Sequence, residues 1–279
     1  MRNSLVTALL AWVLCLCGCS LNRVTANAAG GMIAAGMPAF LTDPDTETAR
    51  QSLLGALKTV EAAQLSSPRN TGLLDTLAQG YCGYAFMFLE DGNPERASAM
   101  YLRGAEFARQ SLQVSGAAAG GIIEPGKARR AEVPALFWNT FCRAGYLQLS
   151  LSEPAALADI SDIEAGARRV AELDGSFYYN SAHTVLGALY AARPAMLGGD
   201  PARAKAEFAL ALKGAGARLL ANRYMYARLY AVQAQDAELF ETELSAIVSA
   251  PPDLPEQALA NEAVKAKAKR LLEKKDDLF

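Results

Sequence analysis

The chain has 279 residues, and 27 Lys and Arg against 29 Asp and Glu leave a formal charge of −2. That balance gives no electrostatic footprint for nucleic acid, and one histidine excludes a multi-histidine metal site. Ala, Leu and Gly dominate, β-branched residues are sparse and no long stretch alternates apolar with polar, so an all-α chain with length for a sizeable core is expected.

Residues 1–18 read as a leader. Met1-Arg2 is a charged start, and Leu5 to Leu16 is an apolar run too short to span a bilayer comfortably. Leu16-Cys17-Gly18-Cys19 then fits a bacterial lipoprotein signal, with Leu at −3, a small residue at −1 and a thiol to acylate. Cleavage before Cys17 would put Leu16 in the small-residue position, which favours Cys19 as the lipidation site. An ordinary secretory leader with incidental cysteines is the alternative. Acyl chains contribute about 0.8 kcal/mol per buried CH₂, so several together make a stable anchor. Ser20 rather than Asp after the cysteine resembles an outer-membrane sorting signal. Cleavage leaves Cys82 and Cys142 beside Cys19. A secreted location permits a bridge between them, yet both fall on apolar helices, where small buried thiols are the expected outcome.

Residues 19–44 form a lipidated N-terminus and tether, rich in Asn, Thr, Ala and Gly until MPAFLTDPD brings apolar contacts and a turn. One all-α domain is expected over 45–279. Helices are predicted near 46–64, carrying Leu53, Leu54, Leu57 and Val60, and near 70–90, carrying Leu74, Leu77, Ala78 and Tyr81. Asn93-Pro94 opens the partner of the second, with Ala97, Tyr101 and Gly104 in register. Residues 115–130 are a Gly/Ala-rich connector. A further pair carries Trp138, Phe141 and Cys142, with Pro154 opening its second helix. Ala182 to Leu212 then reads as two antiparallel helices around a Gly-Gly-Asp-Pro turn. His183, Leu186, Gly187 and Tyr190 share one face, Asp200 and Pro201 start the second helix, and Ala204, Phe208 and Ala211 form a small-large-small stripe. The last pair, near 217–231 and 235–249, precedes a charged capping helix near 256–275.

No constellation for catalysis is present, and no cofactor or metal is predicted. Gly121 to Ala128 nearly spells a phosphate-binding loop, but Ala128 lacks the hydroxyl for Mg²⁺ and no strand precedes it. Neither a Gly-x-Ser-x-Gly elbow nor a Ca²⁺ loop is found. Aromatic residues cluster in the first helices of the hairpins, where inter-helix packing is the ordinary role. In stacked hairpins these helices also line an inner surface, so Tyr84, Trp138, Tyr178, Tyr179, Asn180, His183 and Tyr226 are the candidate ligand- or partner-binding residues. His183 takes the slot of a large apolar side chain and calls for a polar partner, either a neighbouring side chain or a ligand.

The hairpin spacing is close to the tetratricopeptide (TPR) pattern, which implies an irregular solenoid of about four hairpins plus flanking and capping helices. More specifically, GYCGYAFMFLED, ALFW, the segment from Glu172 to Leu212 and the closing LANEAVKAKAKRLLEKKDDLF resemble the T component (TatT) of tetratricopeptide-associated TRAP transporters. The resemblance covers nearly all of the chain after the leader. It implies a non-enzymatic periplasmic lipoprotein that forms a homotrimer and docks a TRAP-type solute-binding protein. It also implies a pore or cleft in each protomer for a lipophilic or organic-acid-like solute. A TPR-type envelope scaffold that grips protein and binds no small molecule is the alternative. Replacing Cys19 with Ala removes the attachment atom, so metabolic labelling with a palmitate analogue is expected to vanish in Cys19→Ala; a labelled variant would overturn the anchor.

Overall fold

The computed structural model describes residues 35–193 and 198–279, with positions 25, 28, 31 and 32 ahead of them; Cys19 and the leader lie outside the described residues. Short polar side chains set where most of the principal helices begin. Asp45 caps α1 (Thr46–Ser66), Asn70 caps α2 (Thr71–Tyr84), and Asn93 caps α3 (Pro94–Ser115), each accepting from a backbone N–H of the first turn. The connector after α3 holds a two-stranded antiparallel ribbon, β1 (Ala118–Ala119) and β2 (Ile122–Ile123), paired Ala118 to Ile123. Next come α4 (Val133–Leu149), the short α5 (Pro154–Ala158), α6 (Ile160–Asp174) and α7 (Phe177–Ala192). Asp200 caps α8 (Pro201–Ala211) with Pro201 in its first turn, as the sequence predicts. Then follow α9 (Leu220–Met225), α10 (Ala237–Val248) on its Asp236 cap, α11 (Ala258–Leu272) and α12 (Lys275–Leu278). Helices α2 and α9 each run on into a π-helical turn, Ala85–Leu89 and Tyr226–Ala231.

The fold is all-α, with the ribbon as a small addition. Successive helices pack in pairs, α2 on α3, α4 on α6 and α7 on α8, while α10 packs on the π turn after α9. The predicted stripes are what the pairs bury. Leu74, Leu77, Ala78 and Tyr81 of α2 and Ala97 and Tyr101 of α3 are at most 1% exposed, and Ala204, Phe208 and Ala211 are fully buried. Gly187 is needed where α7 meets α8, because a Cβ there would lie 2.8 Å from a Phe208 ring carbon. Residues 35–42 are helical and bring Met37 and Phe40 into the same core.

Cys82 and Cys142 do not remain separate thiols. They form a disulfide from α2 to α4 across 60 residues of sequence. In the chain-entropy picture a loop of that length contributes roughly 4 kcal/mol by restricting the unfolded chain. Gly104 of α3 makes room, since a Cβ there would run into Cys82 Sγ and come 3.0 Å from the Ala78 carbonyl. Helix patterning places each cysteine on an apolar face, but only the crossing of α2, α3 and α4 brings the two together.

Asp75 of α2 is enclosed, with one carboxylate oxygen unpartnered and a hydrogen bond from Ser111, and burial pushes its carboxyl up to about 6. The folded state therefore holds this proton more tightly than the unfolded chain, whose aspartate sits near 3.8. The neutral form favours folding at acid pH, and that contribution is lost as pH rises from about 4 through 6, reaching roughly 3 kcal/mol. Asp75→Asn stays neutral, so it is expected to melt above the parent at pH 7.5 and to lose that advantage by pH 4. Equal melting temperatures at pH 7.5 would contradict this.

Candidate ligand cavity

The sequence Phe177-Tyr178-Tyr179-Asn180 cannot continue the right-handed helix that follows it. Tyr178, Tyr179 and Asn180 all have left-handed backbone angles, with φ of 44°, 59° and 63°. For a residue with a Cβ this conformation costs roughly 1–2 kcal/mol, and here three stand in a row without a glycine. The surrounding hydrogen bonds hold them. Asn222 of α9, fully buried, donates from Nδ2 to the Tyr179 carbonyl (2.8 Å) and the Gly216 carbonyl (2.9 Å). Its Oδ1 accepts from Thr184 Oγ1 at 2.6 Å and lies 3.2 Å from Ser181 Oγ, whose hydroxyl bonds the Tyr178 carbonyl at 2.6 Å. Asn180 Nδ2 in turn donates to the Lys213 carbonyl at 2.8 Å. The clamp turns the chain so that right-handed α7 starts afresh at Ser181.

This turn forms one wall of an apolar cavity. Tyr178 enters it beside Trp138 of α4, with ring centroids 4.9 Å apart, and its hydroxyl donates to Gln257 Oε1 at 3.1 Å. Burial pushes this phenol well above its ordinary range. Phe86, Phe141, Val185 and Met225 supply more of the lining, and Met37 and Phe40 close on it from the N-terminal helical residues. Small residues, Gly83, Ala144 and Ala188, leave it room, while Gly80 and Gly145 let Leu57 and the Tyr101 ring pack close behind the lining. The π turn after α2 carries Phe86 and Met87 inward, a role such turns often take at functional sites.

One wall is charged. Glu90, 8% exposed, accepts from Tyr101 Oη at 2.6 Å and pairs with Arg228 (3.1 Å) and Lys267 (3.2 Å). Lys267, 1% exposed, also pairs with Asp91 at 2.9 Å and stands over the Phe86 ring at 5.1 Å. Each buried charge has a partner, as its desolvation demands. Among the described residues no group of His, Cys, Asp or Glu is arranged to hold a metal. The lining is thus mostly apolar, with a few polar groups among it.

Of the predicted site residues, Trp138 and Tyr178 line this cavity. Tyr179 lies beside Tyr178 and bonds Glu256 at 3.2 Å, and Asn180 serves the clamp. His183 finds its partner in Glu207 of α8 at 2.7 Å and is not among the lining residues. Tyr84 bonds the Arg50 carbonyl at 3.1 Å, and Tyr226 stacks on Phe208 and Tyr230. Sequence reasoning missed Asn222, Glu90, Gln79 and Gln148. Asn222 left a trace, a lone amide between Leu219-Leu220 and Tyr224 on a helix face otherwise destined for the core.

A family model described as the TRAP transporter T-component matches residues 42–279. No curated protein matches the chain. Replacing Asn222 with Leu strips the partners from Tyr179, Gly216 and Thr184, at about 1–3 kcal/mol for each buried group left unmade. Asn222→Leu is expected to melt markedly lower and to shift Trp138 emission to longer wavelength as Tyr178 leaves its side. A variant with parent-like melt and emission would show that the left-handed turn stands without the clamp.

Proposed function

Because the chain belongs to the TRAP transporter T-component family, an accessory component of that transport system, we propose that it holds a TRAP-type solute-binding protein and shelters a small lipophilic or organic-acid-like solute. In this reading the mature chain is a non-enzymatic periplasmic lipoprotein, tethered through acylated Cys19 to the outer membrane, and works as a homotrimer. The observation that carries the solute part is the cavity itself. A recess lined by Trp138, Tyr178 and Phe86, with a few polar groups among them, has the lining that small-molecule sites take. Family membership supports the docking part, and the Leu16 to Cys19 motif supports the anchor. No helix among the described residues is long and apolar enough to cross a membrane.

Gly83 gives a direct test, because a Cβ built on it meets only Met87 Cε, at 3.8 Å. Gly83→Phe should therefore fill the cavity while leaving the helix intact. Native mass spectrometry of chain released without detergent is expected to show a bound small apolar molecule on the parent and none on Gly83→Phe. Both should still capture a TRAP-type solute-binding protein from solubilised envelope. A bound molecule retained by Gly83→Phe would remove the cavity from the proposal, and a parent chain that captures no such receptor would remove the docking role.

A further inference from the structure

A polar cleft adjoins the apolar cavity through Met87, a lining residue of both. It is framed by the first turn of α1, the π turn after α2 with Asp91 and Gly92 beyond it, Tyr224 of α9, and α11 with the residues that follow. Its lining divides by chemistry. Met87, Phe88 and Leu271 are apolar, while Arg50, Arg270 and Lys274 bring cations to the same space.

Tyr224 is the unusual member. It is 3% exposed, with Phe86 and Lys267 beside its ring, yet its hydroxyl makes no hydrogen bond among the described residues. A buried tyrosine hydroxyl usually finds a partner, so one without asks for an explanation. Among the described residues, the unbonded side-chain atoms sealed from solvent belong to Asp75 and Gln148, so the Tyr224 oxygen is open to solvent. Burial pushes this phenol above its ordinary range, so the hydroxyl keeps its proton and is ready to donate.

Donors around it are in excess. Asp91 is taken up by Lys267 at 2.9 Å and Arg270 at 2.7 Å, and Glu47 by Arg50 at 3.1 Å. Both arginines keep part of the fork free: Arg270 bonds only through one Nη2–H, and Arg50 leaves Nη1 unused. Lys274 has no carboxylate partner among the described residues. Against these donors stands exposed Glu273, the one lining carboxylate without a cation among the described residues. The lining carries four cations, Arg50, Lys267, Arg270 and Lys274, against three carboxylates, Glu47, Asp91 and Glu273.

We propose that this cleft binds a small amphiphile by its oxyanion headgroup, with the Tyr224 hydroxyl and the Arg270 guanidinium as the groups that recognise it. The headgroup, a phosphate or a carboxylate, accepts charge-assisted hydrogen bonds from these donors, and the apolar end lies against Phe88 and Leu271. A neutral headgroup forgoes the charge, and a cationic one offers nothing to the unused donors. The inference does not depend on the apolar cavity being a solute site, since neither Tyr224 nor Arg270 lines that cavity.

Calorimetric titrations of the mature chain with hexyl phosphate, hexanoate and hexanol test it. At least one anion is expected to bind about tenfold tighter than the alcohol, equivalent to about 1.4 kcal/mol, and the tighter of the two identifies the headgroup. Tyr224→Phe deletes an oxygen that bonds nothing in the fold, so it should melt with the parent and bind that anion about tenfold more weakly. Arg270→Gln leaves Lys267 on Asp91 and is expected to weaken binding likewise. Hexanol bound as tightly as both anions, or no binding by any of the three, would overturn the site. So would anion affinity retained in both folded variants, which would place the binding elsewhere on the chain. A Tyr224→Phe melt far below the parent would show instead that the hydroxyl serves the fold.

Discussion

The turn that forms one wall of the cavity depends on one buried amide. The three left-handed residues near the start of α7 are unfavourable on their own, and Asn222 reaches from α9 to hold them through the Tyr179 carbonyl. The same side chain accepts from Thr184 one turn into the new helix. Asn222 thus fixes where the left-handed turn ends and where α7 begins. That angle swings Tyr178 against Trp138 and turns Val185 and Ala188 toward the open space. Strain at one wall is offset by hydrogen bonds from the opposite element, so the two sides of the cavity form together.

Two further constraints keep that space from collapsing. The disulfide ties α2 to α4 across Gly104, so the helices bearing Gly83 and Trp138 cannot drift apart or slide. On the other side, Glu90 and Lys267 join the segment after α2 to α11 across 177 residues of sequence. A buried ion pair of this kind is weak evidence for net stability, since desolvation consumes most of the Coulomb gain. Its effect is geometric. Glu90 also pairs with Arg228 and Lys267 with Asp91, so a network rather than a single pair holds α11 beside the cavity.

The polar groups around the cavity are largely consumed by the fold, Asn222 by the clamp and Glu90 by Tyr101, Arg228 and Lys267. Family membership makes the chain an accessory component of a TRAP transporter, and the apolar enclosure is the feature on which the proposed solute site rests.

The sequence by itself determined the helices, because capping residues and three- and four-residue apolar steps are local signals. Asp45, Asn70, Asn93 and Asp200 start helices where they were expected to, and the Ala204, Phe208 and Ala211 stripe is buried. Its motifs also sufficed for the family. What it could not determine is where those helices meet. Cys82 and Cys142 looked like separate core thiols, and become a bridge because α2 and α4 cross at a glycine. His183 called for a polar partner, and only the packing of α7 on α8 shows that Glu207 supplies one to its ring nitrogen. Asn222 and Gln148 are chemically similar amides on apolar helix faces, and nothing local distinguishes them. Tertiary packing surrounds Asn222 with partners and leaves Gln148 Oε1 enclosed without one, because hydrogen-bond satisfaction in a core depends on groups far apart in sequence.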